Sequence, residues 1–429
     1  MGRGKTSSST SDRTASGWCG ALLLTLSLGG APTVRADSAP AVAEPEPAAA
    51  AAPTHANDSA DRARIDGPET PALPPPRPWE PVKLFGREIV PGKKIRASLR
   101  AGESFTGGSI NIPALVVRGT IPGPTLCLTA GIHGDEVSGI EVIRQTFESL
   151  QAEDLAGMVI GVPVVNLHGF RRGSRYLPDR RDLNRFFPGR PNGSSASRTA
   201  HAVFSGVIRR CDALVDLHSG SFYRTNLPQI RADLTHQQPL ALAWSFGVGV
   251  VLHSKGMPGT LRRAATEAGI PAITYEAGEA MRLKMHEIER GVAGLRNVMV
   301  WLGMLTALDT TRDEQNVFYK SRWVRVNDGG IFLTERALGD LVQVDDHLGT
   351  VTDPISNERT NVIAPLSGRI LGMAAPQVVI PGFAVFHIGV ASKPLVEAPA
   401  PGAPPFTPPT PDEAGATTEQ PDAAEEHPQ

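Results

Sequence analysis

The chain lacks an excess of charge of either sign, long apolar runs beyond its first residues, and a large number of cysteines. Its 42 Lys and Arg residues balance 44 Asp and Glu residues, which argues against a nucleic-acid-binding surface. Beyond residue 36 no segment is long and apolar enough to span a bilayer, so we expect no stable membrane span. Among the three cysteines, Cys127 lies in an apolar strand and Cys211 ends a helical stretch. We interpret both as buried free thiols, although the sequence leaves a disulfide between them open.

The first 36 residues have the pattern of a secretory signal peptide. Basic residues precede a short apolar stretch, Trp18–Leu28, and small residues end in Val-Arg-Ala before Asp37. This stretch is too short for an ordinary membrane span. The alternative is a disordered N-terminus with a chance cluster of leucines. We favour export, and we expect a mature protein that begins near Asp37 and lies in the periplasm or outside the cell.

Composition divides the remaining chain into two folded domains between two tails. Residues 37–81 are rich in Ala and Pro, and residues 393–429 are Pro-rich and acidic, so neither segment can bury enough apolar surface to fold. Between them we predict a catalytic domain at residues 82–312 and a small β domain at residues 313–392. A length of 429 residues is sufficient for a sizeable core with such an accessory domain.

Apolar, β-rich runs alternate with helical periods through the predicted catalytic domain. Because the strands are apolar throughout, we predict an α/β fold with a mostly parallel sheet and helices on both faces. The predicted strands are Thr125–Ala130, Met158–Val165, Ala213–Leu217, Val248–Leu252 and Ala272–Tyr275, and the predicted helices are Glu136–Leu150, Arg198–Arg210, Thr260–Ala268 and Met285–Leu305.

Short β runs separated by Gly, Asp and Asn turns follow, and they predict a small all-β domain, a barrel or a sandwich. These runs are Trp323–Val326, Gly330–Thr334, Leu341–Val344, Gly368–Met373 and Val385–Ile388.

Two histidines and a glutamate follow predicted strands, where open α/β sheets place their functional sites. His133 and Glu136 lie in Gly-Ile-His-Gly-Asp-Glu, and His218 lies in Asp-Leu-His-Ser-Gly. Two imidazoles and one carboxylate suit one catalytic zinc ion, because three protein ligands leave the fourth tetrahedral position for water. The alternative is that they are ordinary polar loop residues, since a His and a Glu three residues apart also occur by chance. The strand context and the small residues around His133 favour the metal site.

Glu276 ends another apolar strand, in Ile-Thr-Tyr-Glu-Ala-Gly. A carboxylate at a strand end near zinc can take a proton from water and pass it to a leaving nitrogen. Glu279 could be mistaken for it. Asp216 shares a strand face with His218 and could orient it. The other histidines are not accompanied by comparable ligand residues in the sequence. We interpret them as surface or core residues: His168, His201, His236, His253, His286, His347 and His387.

An arginine-rich stretch separates the two metal-binding segments and contains Arg175, Asn184 and Arg185. A guanidinium offers a planar fork of donors that matches a carboxylate, so the two arginines and the asparagine could hold a substrate carboxylate. The alternative is a solvated basic loop. Asp182 could equally be a structural partner for a neighbouring arginine.

Four segments together resemble the succinylglutamate desuccinylase/aspartoacylase family of the zinc carboxypeptidase-like superfamily. They are Gly-Ile-His-Gly-Asp-Glu, Asp-Leu-Asn-Arg, Asp-Leu-His and Tyr-Glu-Ala-Gly, and their order matches across about residues 85–310. The resemblance implies a carboxypeptidase-like α/β domain followed by a small β domain. It implies zinc on His133, Glu136 and His218, with Glu276 as general acid/base, and substrate binding by Arg175, Asn184 and Arg185.

We therefore expect an exported zinc-dependent hydrolase that cleaves an amide bond of an N-acyl amino acid or a related small carboxylate. The first alternative is a carboxypeptidase or cell-wall peptide hydrolase on the same scaffold. The second is a binding protein that has kept the fold without the chemistry, against which the intact ligand set argues. The sequence leaves the acyl group, the amine and the oligomeric state open.

Overall fold

The computed structural model describes residues 82–103, 107–306 and 312–390. The predicted signal peptide, the Ala/Pro-rich linker and the C-terminal tail lie outside the described residues. The strands are β1 (Val82–Leu84), β2 (Arg87–Ile89), β3 (Lys93–Glu103), β4 (Ser109–Arg118), β5 (Ile121–Ala130), β6 (Ala156–Val162), β7 (Ala213–Gly220), β8 (Arg224–Ala232), β9 (Val250–His253), β10 (Ala272–Glu279), β11 (Asn316–Phe318), β12 (Lys320–Arg325), β13 (Gly330–Thr334), β14 (Leu341–Val342), β15 (His347–Thr352), β16 (Arg359–Ile363), β17 (Gly368–Ala374), β18 (Gln377–Val379) and β19 (Ala384–Val390). The helices are α1 (Ser138–Ser149), α2 (Leu167–Arg171), α3 (Ser195–Gly206), α4 (Gln237–Phe246), α5 (Leu261–Glu267) and α6 (Met285–Trp301), with 3-10 turns at Leu183–Arg185 and Ile208–Arg210.

A sheet of 13 strands runs through the described part of the chain. Its centre is the parallel group β6-β5-β7-β10, and β4 and β3 extend it on one side in antiparallel pairing. On the other side β8 is antiparallel to β10. Helices cover the central strands, and a β-rich region follows. This confirms the predicted α/β class with a mostly parallel sheet and a C-terminal β region.

Side chains of the central strands alternate between two apolar cores, one on each face of the sheet. Leu126 and Leu128 of β5 belong to the first core, while Cys127 between them belongs to the second. Helices α1, α4 and α6 pack on the first face, and α3 and α5 pack on the second. Burial of each Leu-sized side chain stabilises the fold by about 1.5–3 kcal/mol. In the described part of the chain, none of the helices has both the length and the apolarity needed to cross a membrane.

Strand β8 joins the catalytic sheet to the C-terminal strands. Its first residues, Arg224–Asn226, pair with Gly372–Ala374 of β17, and its last residues, Ile230–Ala232, pair in parallel with β9. The sequence analysis missed this strand, because Arg-Thr-Asn-Leu-Pro-Gln-Ile-Arg-Ala has no continuous apolar run. Its polar residues Asn226 and Gln229 are buried instead, and the Gln229 amide donates to the Leu371 carbonyl at 3.2 Å.

The C-terminal strands divide between two sheets. Strands β12, β19, β17 and β14 continue the large sheet, whereas β16-β15-β13-β18 form a separate sheet of four. A third apolar core, which includes Phe332, Leu348 and Phe386, is shared between the two. The boundary at residue 312 between two domains stays a prediction.

The prediction that Cys127 and Cys211 are free thiols is wrong. The two cysteines form a disulfide, with their Cα atoms 5.7 Å apart. They come together because β5 and β7 are neighbours in the sheet, with Leu126 beside Ala213. The sequence separation of 84 residues conceals this proximity.

Candidate active site

The three candidate metal ligands converge at the carboxyl ends of the central parallel strands. His133 follows β5, Glu136 lies just before α1, and His218 lies within β7. All three are buried, and their ligand atoms lie within 4.8 Å of one another. Each carboxylate oxygen of Glu136 lies 2.7 Å from one Nδ1 atom, Oε1 from that of His133 and Oε2 from that of His218. The structure therefore brings together the set that the sequence analysis singled out.

Each histidine also has a carboxylate on its outer ring nitrogen. Nε2 of His133 lies 3.2 Å from Asp182, and Nε2 of His218 lies 2.8 Å from Asp216. Thr129 in turn donates to Asp216 at 2.7 Å. A histidine that donates from Nε2 to a carboxylate keeps the Nδ1 lone pair for a metal, and this is the usual second partner of a zinc-bound histidine. The residues present thus fit a zinc ion held by His133, Glu136 and His218.

The charges of this cluster keep Glu136 ionised. Burial opposes ionisation, but the positive charges of His133 and His218 outweigh it and hold the pKa of Glu136 well below its usual range. For the same reason the pKa of His218 is raised well above its usual value, since Asp216 and Glu136 outweigh the effect of burial. Several carboxylates are buried together here, and a bound divalent cation would balance their negative charge.

The backbone around the cluster is too crowded for larger side chains. A Cβ atom on Gly134 would lie 2.0 Å from the carbonyl carbon of Gly169, and one on Gly220 would lie 2.1 Å from the Arg224 carbonyl oxygen. Glycine at these positions therefore lets the segments after β5 and β7 pass their neighbours closely.

Glu276 lies directly opposite His218 across the parallel pair of β10 and β7. The Asn226 amide donates to its Oε2 at 2.9 Å, and Nη1 of Arg231 lies 3.6 Å from its Oε1. Glu276 lines the cavity above the cluster, whereas Glu279 does not and pairs with Lys284 at 3.4 Å. The geometry distinguishes the two glutamates, as sequence alone does not.

Arg175 lies against the three candidate metal ligands rather than free in the cavity. Its guanidinium donates to Asp182 at 2.8 Å, to the Ser221 hydroxyl at 2.9 Å and to Glu136 at 3.3 Å. Asp182 is thus also the structural partner of an arginine. The guanidinium of Arg175 already donates to three protein acceptors beside the candidate metal ligands. Its position therefore suits contact with a substrate oxygen near those ligands better than binding of a more distant carboxylate.

Asn184 and Arg185 line the same cavity from the 3-10 turn that follows α2. The side-chain oxygen of Asn184 accepts from the backbone N–H of Leu261 at 2.8 Å, which ties the turn to α5. Arg185 donates to the Asn184 carbonyl and lies 3.9 Å from Asp182. Its guanidinium is partly exposed toward the cavity and is available for an anion.

The cavity has a volume of about 340 Å³, and its lining carries more positive than negative charge. Five arginines face three carboxylates there: Arg175, Arg185, Arg224, Arg231 and Arg262 against Glu136, Asp216 and Glu276. The sequence analysis missed three of these arginines. Arg224 and Arg231 belong to the unrecognised strand β8, and Arg262 lies in the first turn of α5 without a recognisable motif.

Arg262 is almost fully buried and has no carboxylate within 4 Å among the described residues. It donates to the Ser254 carbonyl at 2.6 Å. Burial and the charge of Arg231 lower the pKa of Arg262 to about 10. Burial of a guanidinium without an anionic partner costs free energy, so this wall of the cavity favours binding of an anion.

Comparison with known proteins agrees with this geometry. The sequence model of the succinylglutamate desuccinylase/aspartoacylase catalytic domain matches residues 122–302. N-alpha-acetyl-L-2,4-diaminobutyric acid deacetylase of Halomonas elongata is 30% identical over 259 residues, which are 57% of this chain and 75% of the relative. The chain belongs to the succinylglutamate desuccinylase/aspartoacylase family. This confirms the resemblance drawn from the four motifs.

Two further proteins are similar to this chain over different lengths. Succinylglutamate desuccinylase of Pseudomonas aeruginosa is 32% identical over 210 residues, 46% of this chain and 58% of the relative. The product-bound structure of the ectoine utilization protein EutE (DoeB) from Ruegeria pomeroyi has a TM-score of 0.65 at 27% identity. The match covers 73% of this chain and 98% of that chain. Because the two relatives matched by sequence are named a deacetylase and a desuccinylase, membership supports a hydrolase.

Proposed function

We propose that this chain is a zinc-dependent hydrolase that removes the acyl group from an N-acyl amino acid or a related small carboxylate. The observation that carries the proposal is the shared cavity, in which the His133, Glu136 and His218 cluster, Glu276 and five arginines meet. When bound, zinc supplies a water of lowered pKa and a Lewis acid for the amide oxygen.

Glu276 is the proton carrier of the proposed reaction. It accepts a proton from the attacking water and returns it to the leaving nitrogen, so that the amide bond breaks without an unstable amide anion. Asn226 holds the carboxylate in the cavity with a hydrogen bond of 2.9 Å. Arg175, beside Glu136, is placed to donate to the carbonyl oxygen as negative charge develops there.

Asn184, Arg185 and Arg262 recognise the carboxylate of the amino-acid part in this proposal. The Asn184 side chain is tied to the first residue of α5, whose second residue is Arg262, so the three are held on one wall. The proposed substrates are therefore anions, and neutral analogues leave a buried guanidinium without a partner.

The test is a release assay for free amine with the zinc-loaded protein, over N-acyl amino acids and short peptides. Each substrate is compared with its C-terminal amide. We expect the wild type to prefer the free acid by about tenfold or more, the scale of a lost charge-assisted hydrogen bond. Arg185→Ala should lose most of that preference. Arg198→Ala, on the exposed side of α3, is the matched control.

Two results would redirect the proposal. Equal hydrolysis of acid and amide by the wild type would make Arg185 structural. If the enzyme hydrolyses peptides but none of the N-acyl amino acids, the result would favour a carboxypeptidase or a cell-wall peptide hydrolase.

We also propose that the protein is exported, with a mature chain that begins near Asp37. The signal-like leader motivates this, and the disulfide between Cys127 and Cys211 supports it, because disulfides persist mainly in oxidising compartments. The test is cell fractionation with intact-mass measurement of the native protein. Recovery of an intact Met1 form from the cytosol, with both thiols reduced, would refute export.

A further inference from the structure

An exposed apolar patch borders the catalytic cavity and has no part in the roles proposed above. Three segments form it, residues 170–176, 222–223 and 281–285, and we call it the rim. Large exposed apolar patches mark sites of contact with proteins or membranes, because a soluble surface gains nothing from them. The exposed large side chains of the rim include Phe170, Phe222, Tyr223, Met281, Leu283 and Met285.

The three segments contact one another, so their side chains form one continuous surface. A Cβ atom on Gly173 would lie 3.3 Å from Cε of Met281, which places the first segment against the third. The ring centroids of Tyr176 and Phe222 lie 6.4 Å apart, which joins the first segment to the second. Nζ of Lys284 donates at 3.4 Å to the hydroxyl of the second residue of β8, next to the second segment. Phe222 also lines the catalytic cavity, so the rim borders that cavity directly.

The backbone holds several of these side chains at the surface in an unusual conformation. Phe222, Tyr223 and Met281 each have a φ of 56°, in the left-handed region that non-glycine residues seldom adopt. Strain of this kind persists where the surrounding structure holds it, and it is concentrated at functional sites. The N–H of Met281 donates to the Asp135 carbonyl at 2.8 Å, which fixes the third segment. The exposure of these apolar side chains is therefore a property of the fold.

Cations alternate with the apolar side chains along the rim. Residues 170–172 read Phe-Arg-Arg and residues 281–285 read Met-Arg-Leu-Lys-Met, so neither stretch contains a carboxylate. Both arginines of the first stretch are exposed. Glu279 pairs with Arg282 at 3.5 Å and with Lys284 at 3.4 Å, and its single charge balances only one of these two cations. The rim therefore keeps a net positive charge.

A bilayer surface with anionic headgroups matches both properties of the rim. Apolar and aromatic side chains enter the boundary between headgroups and acyl chains, while Arg and Lys remain at the level of the phosphates. A second copy of this chain is a poorer match. If the rim packed on itself about a two-fold axis, each cation would lie near its own copy, and like charges oppose each other across an interface.

We infer that the rim is a docking surface for an anionic phospholipid bilayer. The apolar side chains of residues 281–285 enter the headgroup boundary, and Arg171 and Arg172 bind headgroup phosphates. Docking brings the catalytic cavity close to the lipid surface, because Phe222 belongs to both the rim and the cavity wall. The inference does not depend on which reaction the cavity catalyses.

Co-sedimentation of the zinc-loaded full chain with vesicles measures docking. We expect binding to vesicles of equal parts phosphatidylglycerol and phosphatidylcholine, weaker binding to phosphatidylcholine alone, and a loss of binding at high salt. Leu283→Glu should lower the partition coefficient by about tenfold or more, because a carboxylate replaces an apolar side chain beside anionic lipid. Ile355→Glu is the matched control, since Ile355 is equally apolar and lies exposed in the turn between β15 and β16.

A charge variant tests the second property of the rim. Arg172→Gln should lower the partition coefficient by about fivefold, the scale of one cation near an anionic surface. Arg359→Gln, exposed on β16, should leave it unchanged. All these proteins have the same termini, so a difference between them comes from the substituted position. Thermal unfolding of each variant shows that it is folded.

Three results would overturn the inference. The first is no binding of the wild type to the anionic vesicles. The second is equal binding by the wild type and Leu283→Glu. The third is self-association of the wild type that Leu283→Glu abolishes, without vesicle binding, which would assign the rim to a second copy of the chain.

Discussion

Two glutamates three positions apart in one strand have different surroundings in this protein. Glu276 of β10 lies opposite His218, one of the candidate metal ligands, and accepts a hydrogen bond from Asn226. Glu279 lies beyond an irregularity in the same strand and pairs with Lys284. The irregularity between positions 276 and 279 turns the second carboxylate away from the cavity. We therefore expect the two residues to differ in function.

Glu276→Gln should retain zinc and lose about a hundredfold or more of kcat, because an amide of nearly the same shape cannot accept the proton. The measurement is single-substrate turnover together with elemental analysis of the purified variant. Glu279→Gln is the matched control and should turn over at close to the wild-type rate. If the two variants behave in the opposite way, the proton carrier is Glu279.

Among the strands, β5 and β7 are connected by a disulfide in the same region as well as by backbone hydrogen bonds. The disulfide between Cys127 and Cys211 closes a segment of the chain that contains Glu136 and the arginine-rich stretch. Linking residues 84 positions apart restricts the unfolded chain more than the folded one.

Replacing both cysteines with alanine should lower the free energy of unfolding by about 2–5 kcal/mol. Denaturant unfolding of the zinc-loaded protein measures this, and reduction of the wild type with a thiol should give a similar loss. The Cys127→Ala and Cys211→Ala variant should not respond to the thiol. An unchanged midpoint in the double variant would mean that the disulfide does not stabilise the fold.

Strand β19, which pairs with β12 and β17 in the large sheet, carries a buried histidine. His387 stacks on Trp323 with ring centroids 4.4 Å apart, and its Nδ1 has no hydrogen-bond partner among the described residues. Burial, together with the charge of Arg231, lowers the pKa of His387 to about 3. The folded protein therefore keeps this ring neutral at pH values where the unfolded chain protonates it.

The unfolded chain binds the extra proton below a pKa of 6.5, so stability should be lost as pH falls from there toward 3. Between pH 7 and pH 5 the expected contribution of His387 is about 2 kcal/mol. His387→Asn, which does not titrate, should lose less stability than the wild type over that interval by about this amount. Denaturant unfolding at both pH values measures the difference, and parallel losses in the two proteins would show that His387 already titrates normally when folded.

At the scale of the whole molecule, the C-terminal strands complete the catalytic sheet. β17 pairs with the first residues of β8, and Gln229 of β8 is fully buried against the Leu371 carbonyl. Trp323 of β12 lines the cavity that also contains Glu276 and the candidate metal ligands. The region after residue 312 is thus part of both the sheet and the cavity wall.

A chain that ends at residue 312 should not fold into a stable domain. Removal of the strands after residue 312 leaves the edges of β8 and β9 unpaired and exposes Val250 and Leu252, which pack against Phe318 and Leu371, at a cost of about 1.5–3 kcal/mol for each side chain. Circular dichroism and thermal unfolding measure this, with a chain that retains residues 82–390 as the control. A cooperative transition and zinc binding in the shorter chain would contradict the prediction.

Local patterns were sufficient for the central strands and for the candidate metal ligands. Residues 126–130 of β5 and 213–217 of β7 are mostly apolar because both faces of the sheet are buried there, and such a run of apolar residues is visible in the sequence. His133 follows β5 and His218 lies near the end of β7, and parallel strands carry their carboxyl ends to the same edge of a sheet, so the sequence predicts one shared edge for both. The structure shows that β5 and β7 are also neighbours within the sheet. The four family motifs are likewise short continuous segments, so they can be recognised in the sequence alone.

Features that depend on partners distant in the sequence follow from the three-dimensional packing. Arg224 meets the Ala384 carbonyl across 160 positions, and Asn226 meets Glu276 across 50. The same holds for the disulfide, for the cavity wall at Trp323 and for the buried Arg262. A polar strand such as β8 has no signal of its own, because its burial comes from the strands on either side. These contacts determine which arginines line the cavity, since a side chain's surroundings depend on packing and not on its neighbours in the sequence.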